Sequence, residues 1–434
     1  MKSTVIAGAG WRIPRLRWIL ASILLLVSIV NYLDRQTLSI LATTIQADLR
    51  ISNREYAFVV QAFLIAYTCM HLAGGRIVDA LGPRIAETSF ILWWSAANVL
   101  TSLATGFWSL AFFRTLLGLG EPGHYSASAK SVSEWFPPRE KGIAVGMYTM
   151  GGTIGAALAA PIVALLAVKY GWRAAFVVTG LLGLVPALLW VSLYRRPLQH
   201  PWITDTERAT LDAAGLMTPP PSGAKRISWR ELFKLKPVWL IMAARMITDP
   251  LWYFYLFWFP KFLQEERSYS LAELGATIWV VYLSADIGCL LGGWLSGYFV
   301  RRGATPVAAR LRALGIAAAV LAFSFSIALI PGKTAPLIIA SLFTCAEMIW
   351  MTNCVTLPID IFPSSIVGSV QGTIGAGGSL GGLFSTGVVG TLITSFSYAP
   401  VYAIMSFLHP VAFVLLFAFL PKAAAAQKVR NGTR

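Results

Sequence analysis

The sequence predicts an all-α membrane protein, with twelve transmembrane helices in two six-helix halves. Composition, the length of the apolar runs and the placement of basic residues carry that prediction. Of 434 residues, 56% are hydrophobic and only 12% charged, whereas a soluble domain carries roughly a quarter charged. The apolar residues lie in blocks of about twenty, the length that crosses a hydrocarbon layer of roughly 30 Å. Only helices and closed barrels satisfy their backbone in lipid, and continuous apolar runs lack the alternation of a barrel strand.

Twelve runs are read, at 17–45, 56–80, 86–107, 109–134, 142–168, 174–194, 238–262, 273–299, 308–330, 335–357, 366–393 and 399–421. The first follows Arg12, Arg15 and Arg17, has no small-residue cleavage site and outruns a signal-peptide core, so it is expected to be a retained span. The long polar stretch 195–237 divides the chain into an N-terminal half, 1–194, and a C-terminal half, 238–434. Within it, residues 227–236 interleave Trp229, Leu232, Phe233 and Leu235 with basic residues. That pattern fits a short helix on the membrane surface, with a solvated linker as the alternative.

The net charge of +16 is a matter of topology. With the N-terminus inside, 25 of the 35 Lys and Arg fall on the cytoplasmic side. Seven occupy opposite loops (Arg50, Arg54, Lys169, Arg173, Lys261, Arg267 and Lys333), and Arg35, Arg114 and Arg245 lie within spans. This positive-inside asymmetry places both termini in the cytoplasm, in a cell inner membrane. It points to anionic lipid contact and away from nucleic acid. The four cysteines all fall within spans and lack metal-ligand spacing. No Walker loop, His-Glu-x-x-His or Gly-x-Ser-x-Gly motif is present, which argues against an enzyme and against direct ATP drive. A membrane sensor would need an output domain, and none is read. No cofactor is expected, and the chain is expected to act as a monomer.

Two segments repeat in position. Gly74-Gly75-Arg76-Ile77-Val78-Asp79-Ala80-Leu81-Gly82-Pro83-Arg84 follows the second run, and Gly292-Gly293-Trp294-Leu295-Ser296-Gly297, leading to Arg301-Arg302-Gly303, follows the eighth. Paired halves of this kind are how many transporters are built. The pattern Gly75-x-x-x-Asp79-x-x-Gly82-x-Arg84 resembles the signature of the major facilitator superfamily between its second and third spans. Glycine lets helices approach closely, and Asp79 with Arg84 is expected to form a gating latch. The second copy has Val300 where the acid would stand, and Asp360, before Phe362-Pro363, is a further latch candidate. The fifth span, with Gly146, Gly151, Gly152, Gly155 and Pro161, resembles that superfamily's glycine-rich gating helix.

A charge at mid-bilayer costs about 2.5–3.5 kcal/mol, so each one needs a reason. The first span carries Asn31-Tyr32-Leu33-Asp34-Arg35-Gln36, and the fourth carries Arg114 and Glu121. Seven residues make two turns, so the latter two are expected to share a face about 10 Å apart. Four such charges would cost roughly 10 kcal/mol if exposed to lipid, so they are expected to pair across one hydrated cavity, with static ion pairs as the alternative. Arginine offers a planar fork to carboxylates and keeps its proton, which suits Arg35 and Arg114 to an organic anion. Asp34 and Glu121 can titrate, because burial favours the neutral carboxyl and a neighbouring arginine the carboxylate.

Asn-Tyr-x-Asp-Arg in span one, with Arg-(six)-Glu in span four, resembles the anion:cation symporter family, which includes sugar-acid permeases. The resemblance implies proton coupling at Asp34 and Glu121 and carboxylate binding at Arg35 and Arg114. Tyr32 belongs to the same motif and is taken as a substrate contact. Tyr67 matches a substrate-binding tyrosine of the sugar-acid carriers, and His71, one turn on, a titrating position of the vesicular ones. A lone histidine on an apolar face is otherwise a packing residue. The aromatic stretch that follows Thr248-Asp249-Pro250 looks most like the hexuronate permeases, with Trp252 and Tyr253 as candidates to stack on a sugar ring. Arg245 and Asp249 read as an i,i+4 ion pair, while Asn353, Asp286 and Glu347 are buried polar candidates of the second half. The aldonate carriers have a glutamine where this chain has Gly152, which favours a hexuronate. The expected function is proton-coupled import of a sugar acid such as galacturonate or glucuronate, with anion exchange or uniport as rivals.

If the fork and not only the charge of these arginines holds the anion, Arg35→Lys and Arg114→Lys each lose most sugar-acid binding. Calorimetry on the purified variants reads this, and full affinity in both would remove the arginines from the site.

Overall fold

A computed structural model describes residues 12–218 and 227–430. The linker residues 219–226 and the basic residues Lys2, Lys225, Arg226 and Arg434 counted above lie outside the described residues. Among the described residues, twelve membrane crossings are arranged in two halves. The first six are Leu16–Ile40, the double crossing Asn53–Thr101, the broken crossing Phe107–Gly118 with Gly123–Trp135, then Pro138–Tyr170, and Trp172–Leu182 with Leu184–Leu193. The second six are Lys236–Phe257, Trp279–Arg301, Pro306–Leu321, Thr334–Ile361, Val367–Ser395 and Tyr398–Arg430. They are called spans one to twelve here, and the face that carries both described ends is called the terminal face.

Spans two and three, residues 53–81 and 83–101, are two helices joined by a single non-helical residue. That residue, Gly82, turns the chain with φ at 78° and ψ at 160°, a backbone region that glycine enters at little cost. Pro83 follows, and its fixed φ restarts the helix at once. At the far end Ser52 and Glu55 cap the helix reciprocally. Span four breaks between Gly118 and Gly123. Pro122 lacks an N–H and cannot continue a helix. Gly120, in the break, lies so close to Trp93 and Trp94 that a Cβ there would come within 2.7 Å of the Trp93 ring.

The linker is more ordered than a solvated chain. Helix Asp205–Ala213 presents Glu207 to the start of span one, where it accepts from the Leu16 and Arg17 backbone N–H groups at 2.8 and 3.1 Å. A carboxylate is favoured at that end of a helix dipole. The expected surface helix at 227–236 shrinks to one turn, Trp229–Leu232, capped by Ser228 and Glu231. The Arg76 guanidinium sits 3.9 Å over the Trp229 ring, so this turn is fastened to span two and is not free on the membrane.

Span five lies between spans one and eight, and span eleven between spans two and seven. Glycine makes these approaches possible, because a side chain would hold the backbones apart. A Cβ on Gly293 would lie 2.3 Å from the Gly142 carbonyl carbon, one on Gly146 2.3 Å from Cys289 O, and one on Gly75 2.2 Å from Gly368 O. All six residues belong to the part of the bundle nearest the terminal face, so the halves meet there. Gly151 and Gly155 fit equally closely against Leu25 and Ile29 of span one.

Gly146→Val forces its side chain into the Cys289 carbonyl. It lowers stability by about 1–3 kcal/mol, read as a lower melting temperature in detergent. An unchanged melting temperature would mean that the spacing of spans five and eight does not depend on this glycine.

Candidate binding site and gate

Arg35 projects from the middle of span one into a cluster of groups from spans one, two and four. Its Nε donates to Glu121 Oε2 at 2.8 Å, and Nη2 lies 2.6 Å from the same oxygen. The guanidinium carbon stands 4.7 Å from the Tyr32 ring centre and 4.6 Å from that of Tyr67. Two aromatic faces and a carboxylate thus hold one cation. The Arg35 side chain is 21% exposed while Glu121 is fully buried, so the pair is reached from the arginine side.

Arg114 is poorly paired. It is buried, yet its Nε and Nη1 have no hydrogen-bond partner, and only Nη2 reaches out, to Arg35 O at 3.4 Å. Its carbon lies 5.3 Å from the Phe63 ring centre. The backbone from Arg114 to Glu121 keeps helical hydrogen bonds, Leu119 N–H to Thr115 O at 3.1 Å and Glu121 N–H to Leu117 O at 3.2 Å, but the two side chains form no ion pair. Glu121 pairs with the arginine of span one instead.

Asp34 also differs from expectation. Successive helical residues point about 100° apart, so Asp34 turns away from Arg35 toward spans three and six. There Asn98 Nδ2 donates to Asp34 Oδ1 at 2.7 Å and to Thr179 Oγ1 at 2.8 Å. His71 does join the cluster, 4.8 Å from Tyr67 between ring centres and 6.2 Å from Tyr125. A Cβ on Gly375 of span eleven would lie 2.7 Å from His71 Nδ1. Tyr32 occupies the room left by Gly152, where a Cβ would come within 2.8 Å of its ring.

In the second half, Tyr253 packs over Gly382 as Tyr32 does over Gly152. Trp252 is partly buried against Ala285, Cys289 and Met348, a core position. Asn353 binds main chain through its amide N–H groups and leaves Oδ1 without a partner. Its amide donates to Gly292 O at 3.1 Å and to Ile349 O at 2.8 Å, which clasps span ten to span eight. Arg245 and Asp249 form the expected pair through two 2.7 Å bonds. Asp286 is bonded to Thr153 across spans eight and five, and His409 Nε2 lies 2.8 Å from Glu347.

One buried network escaped the sequence reading. Glu87 Oε1 and His124 Nδ1 are 2.5 Å apart, and His124 Nε2 is 2.7 Å from Ser28 Oγ, with all three residues buried. Both Glu87 and His124 fall inside the apolar runs 86–107 and 109–134, and no motif there marks them as partners.

At the terminal face, Asp79 is held by three donors. Lys130 Nζ and the Gly368 N–H reach Oδ1 at 2.8 and 3.1 Å, and the Ser369 N–H reaches Oδ2 at 2.7 Å. The carboxylate of span two therefore caps the N-terminus of span eleven across the two halves. Arg84, its expected partner, is elsewhere. Beyond the Gly82 kink its Nε and Nη2 donate to Val191 O at 2.9 and 2.7 Å. A matching tie joins spans five, nine and ten, where Arg310 Nε bonds Asp360 at 2.9 Å and Nη2 bonds Pro138 O at 2.8 Å. Lys141 adds a bond to Ile359 O at 3.0 Å. The acid missing at Val300 is thus supplied by Asp360.

Two six-helix halves, a buried charged cluster at mid-membrane and ties between the halves define a secondary transporter, not an enzyme. The family model of the Major Facilitator Superfamily matches residues 24–386. The chain belongs to that superfamily. It is 28% identical to the hexuronate transporter of Escherichia coli (strain K12), with 97% of this chain and 98% of that protein covered. It is 31% identical to the galacturonate transporter of Dickeya chrysanthemi, over 67% of this chain and 84% of that one. The D-galactonate transporter of Escherichia coli O6:H1 is 27% identical over 90% and 93% of the two chains. The fold matches that of the proton:xylose symporter XylE with a TM-score of 0.74 at 16% identity, covering 93% of this chain and 96% of that one. The chain is thus a superfamily transporter related to proteins named as carriers of sugar acids.

Because Asp79 ties the halves and Arg84 does not, Asp79→Asn and Lys130→Gln both widen the distance between spin labels across the terminal face, whereas Arg84→Gln leaves it unchanged. Widening in Arg84→Gln alone would reverse the assignment.

Proposed function

We propose that this protein is a proton-coupled symporter for a hexuronate such as galacturonate or glucuronate. The unanswered donors of buried Arg114 carry the proposal. A desolvated guanidinium with two idle N–H groups is costly, and a substrate carboxylate is the group that best completes it. Arg114 and Arg35 together then hold the carboxylate, while Tyr32, Tyr67 and Tyr253 face the sugar. Trp252 and Asn353 take no direct part in this reading. The relatives' names, together with Gly152 and the tyrosine beside it, favour a hexuronate.

Coupling follows from competition. A substrate carboxylate that takes Arg35 removes the partner of Glu121, and a buried carboxylate without its cation takes up a proton. Proton and substrate therefore favour each other, as linkage requires. Asp34 bonds to Asn98, outside that exchange, and acts as a second proton site. His71, between Tyr67 and span eleven, relays the state of the site toward the Asp79 tie. The excess of basic residues on the terminal face supports a reading in which that face is cytoplasmic in a cell inner membrane, and in this reading the chain works as a monomer without a cofactor.

A protonated Glu121 leaves Arg35 free, so hexuronate affinity rises as pH falls, and Glu121→Gln flattens that dependence. In liposomes, Glu121→Gln keeps exchange at equal pH but loses accumulation driven by an inward proton gradient. If Glu121→Gln still concentrates hexuronate on a pH gradient, coupling lies elsewhere. If binding of galacturonate and glucuronate to the wild-type protein is absent at millimolar concentration, the substrate class is wrong.

A further inference from the structure

A groove of about 650 Å³ lies on the terminal face, between the Gly82 elbow and the end of span six. Arg84, Arg195 and Arg196 line it, with Leu81, Ile85 and Val191 beside them. The carboxylate nearest to Arg196 is Glu134, at 3.9 Å, and it is already engaged with the Tyr194 hydroxyl at 2.8 Å. Three arginines against this one carboxylate leave the groove with a net positive charge. Its floor stays open because Gly82 has no side chain, and a Cβ there would meet only Arg196 Nη2, at 4.0 Å. Arg84 is held by two bonds to Val191 O and Arg195 by one to Ser192 O at 2.8 Å. Arg196 has the 3.9 Å contact with Glu134, and Arg195 and Arg196 keep further N–H groups for an anion.

The surroundings are apolar and uncovered. Leu81 is 49% exposed, Ile85 56%, and Leu188, one turn before Val191, 66%. The arginines stand where helices end, at the polar boundary of the bilayer, and the aliphatic side chains extend from them along the helix surfaces. A soluble anion gains nothing from those side chains, whereas an acyl chain covers them. We propose that this groove seats an anionic phospholipid, its phosphate between Arg195 and Arg196 and its acyl chains along Leu81, Ile85 and Leu188. Basic clusters at the headgroup level recognise such lipids by charge.

The test is native mass spectrometry of the purified full chain with phosphatidylglycerol, phosphatidylcholine or sodium phosphate. The wild type retains phosphatidylglycerol several-fold more than phosphatidylcholine, and millimolar phosphate does not displace it. The Arg195→Gln, Arg196→Gln double variant loses about tenfold in retention. The control Arg301→Gln, Arg302→Gln, which removes the same charge at another corner of the face, keeps it. Equal retention in the 195/196 variant, equal loss in the control, or displacement by inorganic phosphate overturns the proposal. Should the double variant fail to fold, Arg196→Glu alone must lower retention at this 44% exposed side chain, and unchanged retention there overturns it as well.

Discussion

Inside the hydrocarbon layer no water answers a polar group, so every buried charge must find its partner within the protein. The architecture follows from how those partners are distributed. Asp34 with Asn98, Glu87 with His124, and Arg245 with Asp249 each close within one half. They cross-link neighbouring helices, or a helix to its own next turn, and give each half the stiffness to move as a body. The bonds of Asp79 to Gly368 and Ser369 and of Arg310 to Pro138 cross between the halves at one face. Only bonds of this second kind need to break when the transporter changes state. Arg114, buried with idle donors, fits neither group and is left for a ligand.

The spans were legible because lipid demands long apolar runs, and that demand survives almost any detail of sequence. Arg35, Arg114, Glu121 and His71 were legible for the converse reason, since a charge or an imidazole inside such a run is conspicuous. Their pairings were not. Counting turns from Arg114 to Glu121 places them on one helix but cannot show that Glu121 bonds Arg35 of another span. Asp79 and Arg84 look adjacent in sequence, but the positive φ at Gly82 separates their directions. Lys130, the actual partner, is 51 residues away. Glu207 was read as part of a linker, because no local pattern shows that its carboxylate will meet the N-terminus of a helix some 190 residues earlier.

Glycine settles more than close packing. At 142, 146 and 293 it brings spans five and eight together, while at 152 it makes room for the Tyr32 ring. That ring is one of the two faces over Arg35. The identity of a residue in span five therefore reaches the cation of span one through the space it leaves. Aromatic density over the guanidinium and a missing side chain opposite are two aspects of one arrangement.

The tie between spans two and eleven is asymmetric in chemical kind. One side is the Asp79 carboxylate, and the other is main-chain N–H at 368 and 369. A backbone donor is common to every residue except proline, so drift at position 369 leaves the bond intact. Position 368 is narrower, since a Cβ there would lie 2.7 Å from both Asp79 Oδ1 and Gly75 O. The acid, the lysine beside it and the two glycines at 75 and 368 therefore carry the chemical constraint of this contact, and position 369 carries almost none.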